Sequence, residues 1–519
     1  MSLKSIEGDW DIVVVGGGVT GAGVFRESTG RGLKALLVEQ KDFAWGTSSR
    51  SSKLVHGGLR YLKEGKFALT RESVRERERL IREAPGLVKR LEFRLPIYRG
   101  LKPGALTMGV GLTLYDLISG KRSYRYYGRS AYRQIEPLVS TQDLQGGFSF
   151  TDAQVDDARL VLCLIATAER AGGLALNYTR VTGLERDNSG NVRGVFLEDT
   201  ESKEQVFVQT RLVINATGVW AEGLHPSPEK NKHLRPLRGS HLIFPKELIP
   251  IETAVSFFSP HDGRQQFAFP WEGAVLVGTT DIDHKRALSE EPAAAEDEVA
   301  YLLEGINTIF PSLKLTSADA VSSFAGVRPV VSEGKVSADK ESREHVIWKD
   351  RGLVTVTGGK LTTFRVLARD ALFAARDYLP SKGLREPSAP IFEPWTGQAT
   401  PAGLSFEAHQ RLWGRYGSQA SVMLANARAK HLRVIAGTQT LLAELPHAAA
   451  REKIRHLDDL LLRRVRIGLL LPEGGKAHLD EIRALCRPVM SWSDARWDSE
   501  IENYLRMWRT HYRPCRGQD

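Results

Sequence analysis

The stretch from Asp11 to Glu39 constrains this chain more than any other. Asp11-Ile12-Val13-Val14-Val15 reads as a buried strand. Gly16-Gly17-Gly18-Val19-Thr20-Gly21-Ala22-Gly23 follows, then a helical run, then a second apolar strand, Ala35-Leu36-Leu37-Val38, which ends on Glu39. The pattern predicts a βαβ unit with a G-x-G-x-x-G turn between the first strand and the helix. Gly16 then serves the tight turn, Gly18 lets the backbone approach a pyrophosphate, and Gly21 lets helix and strand pack closely. The helix N-terminus offers free N–H groups and a positive dipole end to phosphate. An acid at the end of the second strand can hold the two ribose hydroxyls. Glu39 favours a free 2′-hydroxyl over a 2′-phosphate, and so FAD or NAD over NADP.

The 519 residues exceed one typical domain and suggest roughly two to four units. A hydrophobic share of 42% and a charged share of 26% are ordinary globular values. No run of 18 apolar residues occurs, which predicts no membrane-spanning helix. The first apolar run is a strand leading into the glycine turn, not the core of a signal peptide. Cys163, Cys486 and Cys515 lie far apart, with neither zinc spacing nor a disulfide framework. No metal is expected, and a reducing cytosolic setting is. The net charge of +10 points to nucleic acid, an anionic membrane surface or an anionic substrate. No nucleic-acid-binding module is legible, so nucleic acid is not expected.

After Glu39 the chain changes character. Thr47-Ser48-Ser49-Arg50-Ser51-Ser52-Lys53 is small and polar, and Leu54-Val55-His56-Gly57-Gly58-Leu59-Arg60-Tyr61 follows. Small hydroxyls and glycines let a chain run close against a ligand, so this segment is expected at the edge of the cofactor. Residues 67 to 90 read as a charged, solvated helix laced with ion pairs. Residues 91 to 150 are mixed and punctuated by prolines. From Asp152 the chain reads as helical to about Arg170, with Asp156 able to cap. Leu212 to Asn215 is a buried strand ending in Ala216-Thr217-Gly218, at the strand end where a dinucleotide lies in such folds. Residues 236 to 338 read as strands with polar turns, with a helix near 296 to 309. Leu353 to Gly358 enters Gly359-Lys360-Leu361-Thr362-Thr363 and a helix, a second anion-friendly N-terminus. Residues 402 to 519 read as nearly all helical. The basic amphipathic run 454 to 471 and the Arg/Trp-rich run from Trp492 to Arg513 admit two readings, a helix packed on the body or a membrane-surface face.

In this order these motifs resemble the FAD-dependent, quinone-linked glycerol-3-phosphate dehydrogenases. The resemblance rests on the glycine turn, on 47–61, and on Gly239-Ser240-His241, Gly278-Thr279-Thr280-Asp281, Gly326-Val327-Arg328-Pro329 and Gly358-Gly359-Lys360-Leu361-Thr362-Thr363. It implies an α/β fold: a Rossmann-like FAD-binding domain, an interleaved α+β substrate domain and a C-terminal helical domain. The FAD-binding domain is expected to comprise 1–90, 151–235 and 346–380, and the substrate domain 91–150 and 236–345. A linker at 381–401 and a helical domain at 402–519 complete the division.

The implied reaction is oxidation of sn-glycerol 3-phosphate to dihydroxyacetone phosphate. A hydride leaves C2 for flavin N5, and the electrons pass to membrane quinone. A proton must leave the hydroxyl, and His56 and His241 are the two histidines placed within motifs that could take it. The phosphate dianion wants arginine forks and a lysine. Arg60, Arg328, Lys360 and, through Ser342-Arg343-Glu344-His345, Arg343 are the matched cations, with Tyr61 as a hydroxyl donor. Arg328 is also expected to stabilise charge developing on the C2 oxygen. Cofactor contacts are expected from Gly16, Gly18, Gly21, Glu39, Thr47, Ser48, Ser52, Lys53, His56, Gly57, Gly58, Ala216, Gly218, Thr280, Asp281, Gly359, Leu361 and Thr362. The expected partners are glycerol 3-phosphate, quinone, an anionic membrane surface and a second copy of the chain. The expected place is the cytoplasmic face of the inner membrane, or the cytoplasm. Two alternatives stand beside this: a glycerol-3-phosphate oxidase using O2, and a non-catalytic flavin-bound membrane- or nucleic-acid-binding protein.

Overall fold

The computed structural model describes residues 3–515, apart from 7, 64, 101–103, 122, 226–232, 333–344 and 386–389. The strand Ile12–Val15 is fully buried, as its four β-branched residues require. It sits inside a six-stranded sheet ordered His345–Asp350, Leu353–Gly358, Val213–Asn215, Ile12–Val15, Ala35–Val38, Leu174–Leu176. All pairs are parallel except the edge pair His345–Asp350 with Leu353–Gly358, which is antiparallel. A parallel sheet needs cover on its faces. The helices Val19–Gly30, Asp157–Arg170 and Phe364–Ala374 supply one layer, through Phe25, Leu160, Leu164, Leu367 and Ala371. A three-stranded antiparallel sheet, Thr179–Arg186, Val192–Asp199 and Gln205–Gln209, lies on the other side.

A ten-stranded sheet carries the second body. Its spine is Leu234–Pro245, paired antiparallel with Ala274–Gly278, with Ser322–Val331 and with Ile282–Asp283. The strands Val88–Tyr98 and Leu144–Val155 pair antiparallel along their length, and the short Leu54–Val55 joins their edge. Two expectations are corrected here. The helix expected over 67–90 is Phe67–Glu83. Pro85 and Gly86, the latter at φ +84°, end it, and Leu91, Phe93, Leu95 and Ile97 then alternate inward as a strand. Likewise Asp152 to Val155 completes a strand. The helix starts at Asp157, with the Asp156 carboxylate accepting from the Arg159 N–H, so the capping role holds.

The C-terminal region is helical, as expected. It includes Phe406–Tyr416, Glu444–Arg451, a π-helical turn at Asp459–Arg464, Leu479–Cys486 and Asp494–His511. The stretch 381–401 is strapped down in part, because Arg26 donates to the carbonyls of Pro390 and Ile391 and Phe392 is buried.

The membrane-surface reading of 454–471 is overturned. Leu460 to Leu471 is buried throughout. Arg463 and Arg464 pair with Asp42, and Arg466 pairs with Asp156 and Asp157. The tail reading fails in the same way: Trp497, Tyr504, Trp508 and Tyr512 are buried core anchors. Among the described residues no helix is long and apolar enough to cross a membrane.

Candidate active site

The glycine turn has the geometry its spacing requires. Gly16 sits at φ +110° and faces the carbonyl of Ala216, which a side chain there would strike. A Cβ on Gly21 would lie 1.9 Å from the Gly16 oxygen, so helix and strand could not pack. Gly18 caps the helix in extended conformation with no side-chain cap of its own. A Cβ there would meet only Ser48 Oγ, at 3.1 Å. Ser48 Oγ accepts from the Val19 N–H at 2.9 Å. The Glu39 carboxylate accepts from the N–H groups of Gly17 and Lys41, at 2.7 and 2.9 Å. Burial pushes its pKa up, and those two hydrogen bonds oppose the rise.

Residues 47–61 then leave this sheet and join the other. The Thr47 hydroxyl donates to the Val327 carbonyl. Ser52 Oγ lies 2.9 Å from Nε2 of His241. Gly57 N–H donates to Asp152 at 3.0 Å, and a Cβ on Gly57 would strike the Tyr115 hydroxyl. Gly58 is at φ +79° against the Tyr61 ring. The His56 carbonyl accepts from Thr362 Oγ1 at 3.4 Å, linking the segment to Leu361–Thr363. Gly359 is at φ +75°, and Gly218, at φ +63°, has its carbonyl held by Thr357.

Two cation clusters flank the segment. In the first, Gly239 and His241 stand two residues apart on one strand and so face the same way. The Arg328 guanidinium lies over Gly239, where a Cβ would come within 2.5 Å of Nη2, and the His241 ring lies over Gly278. Arg328 donates to Asp281 at 3.2 Å and to Thr279 at 3.3 Å. His241 stacks on Phe324 with ring centres 4.7 Å apart. Its Nδ1 has no hydrogen-bond partner among the described residues. Burial, then the charges of Arg328 and Lys53, hold its pKa well below the usual imidazole value. The ring is therefore neutral at neutral pH. In the second cluster, Lys360 Nζ lies 3.8 Å from the centre of the buried Tyr61 ring and donates to Ser73 at 2.8 Å.

Two expected residues turn out differently placed. Lys53 is completely buried, with its ammonium on Asp157 at 3.0 Å and on the Ser49 carbonyl. Burial lowers its pKa to about 8 against the pull of Asp157. It therefore secures the segment from behind and does not reach a ligand surface. The Thr280 hydroxyl is engaged with Glu298 and the Ser240 N–H, so only its backbone is left for a ligand. Arg343 lies outside the described residues, as does the side chain of Arg60, whose backbone is in the short helix Leu59–Lys63. Sequence reasoning missed Phe324 beneath His241 and Thr279 beside Arg328. The aromatic in Phe324-Ala325-Gly326, on the strand that carries Arg328, was the available signal.

With this geometry in view, comparison with known proteins is informative. Residues 11–369 match the model of the FAD dependent oxidoreductase family, and residues 369–497 match the C-terminal domain of alpha-glycerophosphate oxidase. The chain is 39% identical over 383 residues to an aerobic glycerol-3-phosphate dehydrogenase of Bacillus subtilis, covering 73% of this chain and 68% of that one. It is 34% identical over 517 residues to glycerol-3-phosphate dehydrogenase 2 of Mycobacterium tuberculosis, covering 96% and 87%. A solved glycerol-3-phosphate dehydrogenase from Bacillus halodurans, complexed with FAD, superposes with a TM-score of 0.75 at 27% identity, covering 96% and 95%. The chain belongs to the FAD-dependent oxidoreductase family, in its glycerol-3-phosphate dehydrogenase branch.

Proposed function

We propose that this protein oxidises sn-glycerol 3-phosphate at C2 to dihydroxyacetone phosphate and passes the electrons to a quinone in the bilayer. The observation that carries the reading is the pairing of a neutral, buried imidazole with a guanidinium on one sheet face, against residues 47–61. The glycine cradle at 16–21 and Glu39 fit FAD: a helix N-terminus for its pyrophosphate and a carboxylate for its ribose. Bound there, FAD supplies the acceptor for the C2 hydride.

The chain's own residues do the rest. His241, held flat on Phe324, takes the proton of the C2 hydroxyl at Nε2, where the substrate hydroxyl replaces Ser52 Oγ as that nitrogen's hydrogen-bond partner. A neutral imidazole is the form that can accept. Arg328, steadied by Asp281 and Thr279, stabilises the negative charge that develops on the C2 oxygen. Lys360, fixed over Tyr61, takes the phosphate as a point charge, with Tyr61, Arg60 and Arg343 completing the anion site. The Thr362 hydroxyl, donating to the His56 carbonyl, keeps the segment against the second Gly-Gly junction.

The test is Arg328→Ala. Loss of a charge-assisted contact and of its orienting effect should lower kcat/KM for glycerol 3-phosphate by roughly two decades. A variant with normal kcat and KM would make Arg328 structural. The match of 369–497 to an oxidase domain favours a second reading of the acceptor, direct reduction of O2. Stoichiometric peroxide in air, unchanged by a quinone analogue, would establish that reading. Peroxide suppressed by the analogue would establish quinone.

A further inference from the structure

Tyr512 follows the helix Asp494–His511 and reaches from the C-terminal region into the candidate active site. It is 3% exposed. Its N–H donates to the Trp508 carbonyl at 2.8 Å, so the last helical turn fixes its backbone. From there it makes two ties, one with its carbonyl and one with its hydroxyl. The carbonyl accepts from the Ser323 N–H at 2.8 Å. The hydroxyl accepts from Arg50 Nε and Nη2, at 3.3 and 3.1 Å, and donates to the Glu291 carboxylate. Burial pushes the phenol pKa above its usual value, so the hydroxyl keeps the proton it gives to Glu291.

Both ties end beside the proposed base. Ser323 precedes Phe324 on the strand Ser322–Val331. Phe324 is the cross-strand register partner of His241 and the ring on which it stacks. Arg50 stands two residues before Ser52, whose Oγ lies 2.9 Å from His241 Nε2. The Arg50 guanidinium is also held by the carbonyls of Trp45 and Gly46 and by Glu291, and it lies over the Trp45 ring, 4.8 Å from its centre. The Arg50 backbone presses on the strand itself: a Cβ on Gly326 would lie 2.4 Å from the Arg50 carbonyl oxygen. Segment and strand thus touch at Arg50 and Gly326, and Tyr512 is bonded to both. The proton transfer requires the substrate hydroxyl to take the place of Ser52 on Nε2. That exchange depends on where the segment stands and on the ring plane that Phe324 sets. Misplacing a reacting group by ~1 Å can cost about a hundredfold in rate.

We infer that Tyr512 is a positioning residue for the proton transfer: through Arg50 it sets the place of Ser52, and through Ser323 the place of the Phe324 ring, against the His241 imidazole. The inference rests on the reading of His241 as the base and extends its support to a residue 462 positions from Arg50.

The experiment compares the wild-type holoenzyme with Tyr512→Phe and with Tyr504→Phe. The first keeps the ring and the Ser323 tie and removes the hydroxyl alone. The second removes another buried hydroxyl of the same helix, which donates to the Gly474 carbonyl at 2.6 Å. Flavin content, Tm, anaerobic flavin reduction across a range of glycerol 3-phosphate concentrations, and hydrogen exchange of peptides covering 47–53 are read on the same samples. For Tyr512→Phe the limiting rate of flavin reduction should fall by roughly tenfold. The half-saturating concentration should stay within about twofold, because Lys360 and Tyr61 are untouched. Flavin content should be unchanged, Tm should fall by no more than about 4 °C, and residues 47–53 should exchange faster. Tyr504→Phe should lose similar Tm and keep the wild-type rate. The inference is overturned by a wild-type limiting rate in Tyr512→Phe, by a fall that only follows flavin loss, by exchange at 47–53 as slow as in the wild type, or by an equal fall in Tyr504→Phe. A wild type whose flavin glycerol 3-phosphate does not bleach strikes the proposed reaction and this role with it. Equal bleaching of wild type and Tyr512→Phe strikes this role alone.

Discussion

Asp157→Asn is the substitution whose cost follows most directly from the structure. Asp157 is fully buried at the head of the helix Asp157–Arg170. It accepts from Lys53 Nζ at 3.0 and 3.1 Å and from the Ser51 N–H and hydroxyl at 3.0 and 2.7 Å, and it pairs with Arg466. One carboxylate thus joins the 47–61 segment, the parallel-sheet body and the C-terminal region. The surrounding cluster is balanced, with Lys53, Arg411, Arg415 and Arg466 facing Asp156, Asp157, Glu272 and Glu444. Asparagine keeps the volume, so no cavity term enters. It removes one charge and turns an NH2 donor toward groups that are themselves donors. Breaking a buried pair by removing one partner costs about 3–5 kcal/mol, a large part of the roughly 5–15 kcal/mol that holds a typical domain. Urea unfolding of the flavin-loaded protein should show that loss, with flavin released earlier in the transition. Arg466→Met should be costly alone, but the double variant restores charge balance. Its loss should fall short of the sum by roughly 1–3 kcal/mol. A loss under about 1 kcal/mol for Asp157→Asn, or strict additivity, would refute the reasoning.

Gly21→Ala should yield protein without flavin colour, because its Cβ would sit 1.9 Å from the Gly16 oxygen; a normal flavin spectrum would contradict the cradle. The His456 side chain lies 3.0 Å from Glu500 and 2.7 Å from Glu201. The Glu500 hydrogen bond raises its pKa to about 9 from 6.5. A raised folded-state pKa means this contribution is fully present below pH 6.5 and is lost as pH climbs through 9. His456→Ala should therefore flatten the fall in Tm between those pH values, and an unchanged slope would remove the pair from the account.

The glycine turn, the Ala-Thr-Gly strand end and the second Gly-Gly junction were legible because each is a local device, set by spacing within a dozen residues. The strand Val88–Tyr98 was missed, although Leu91, Phe93, Leu95 and Ile97 alternate. Its charged flanks, continuous with the preceding helix, disguised it. The arginines of 463–466 were not legible as core residues. Their carboxylate partners, Asp42 and Asp157, lie 422 and 309 residues away in sequence, and nothing local distinguishes a buried basic stripe from one meant for lipid. The same holds for Lys53, whose place behind the segment depends on Asp157. The preference for His241 over His56 in the proposed reaction rests on burial and on the ring of Phe324, both properties of strand register, not of motif.

The most direct test of the central claim is anaerobic. The flavin-loaded protein is mixed with sn-glycerol 3-phosphate, and its oxidised absorption band is followed, with glycerol as the control. Rapid bleaching by the phosphate ester, little by glycerol, and formation of dihydroxyacetone phosphate equal to the flavin reduced is the predicted result. A band that persists with glycerol 3-phosphate, or that bleaches equally well with glycerol, would contradict the account.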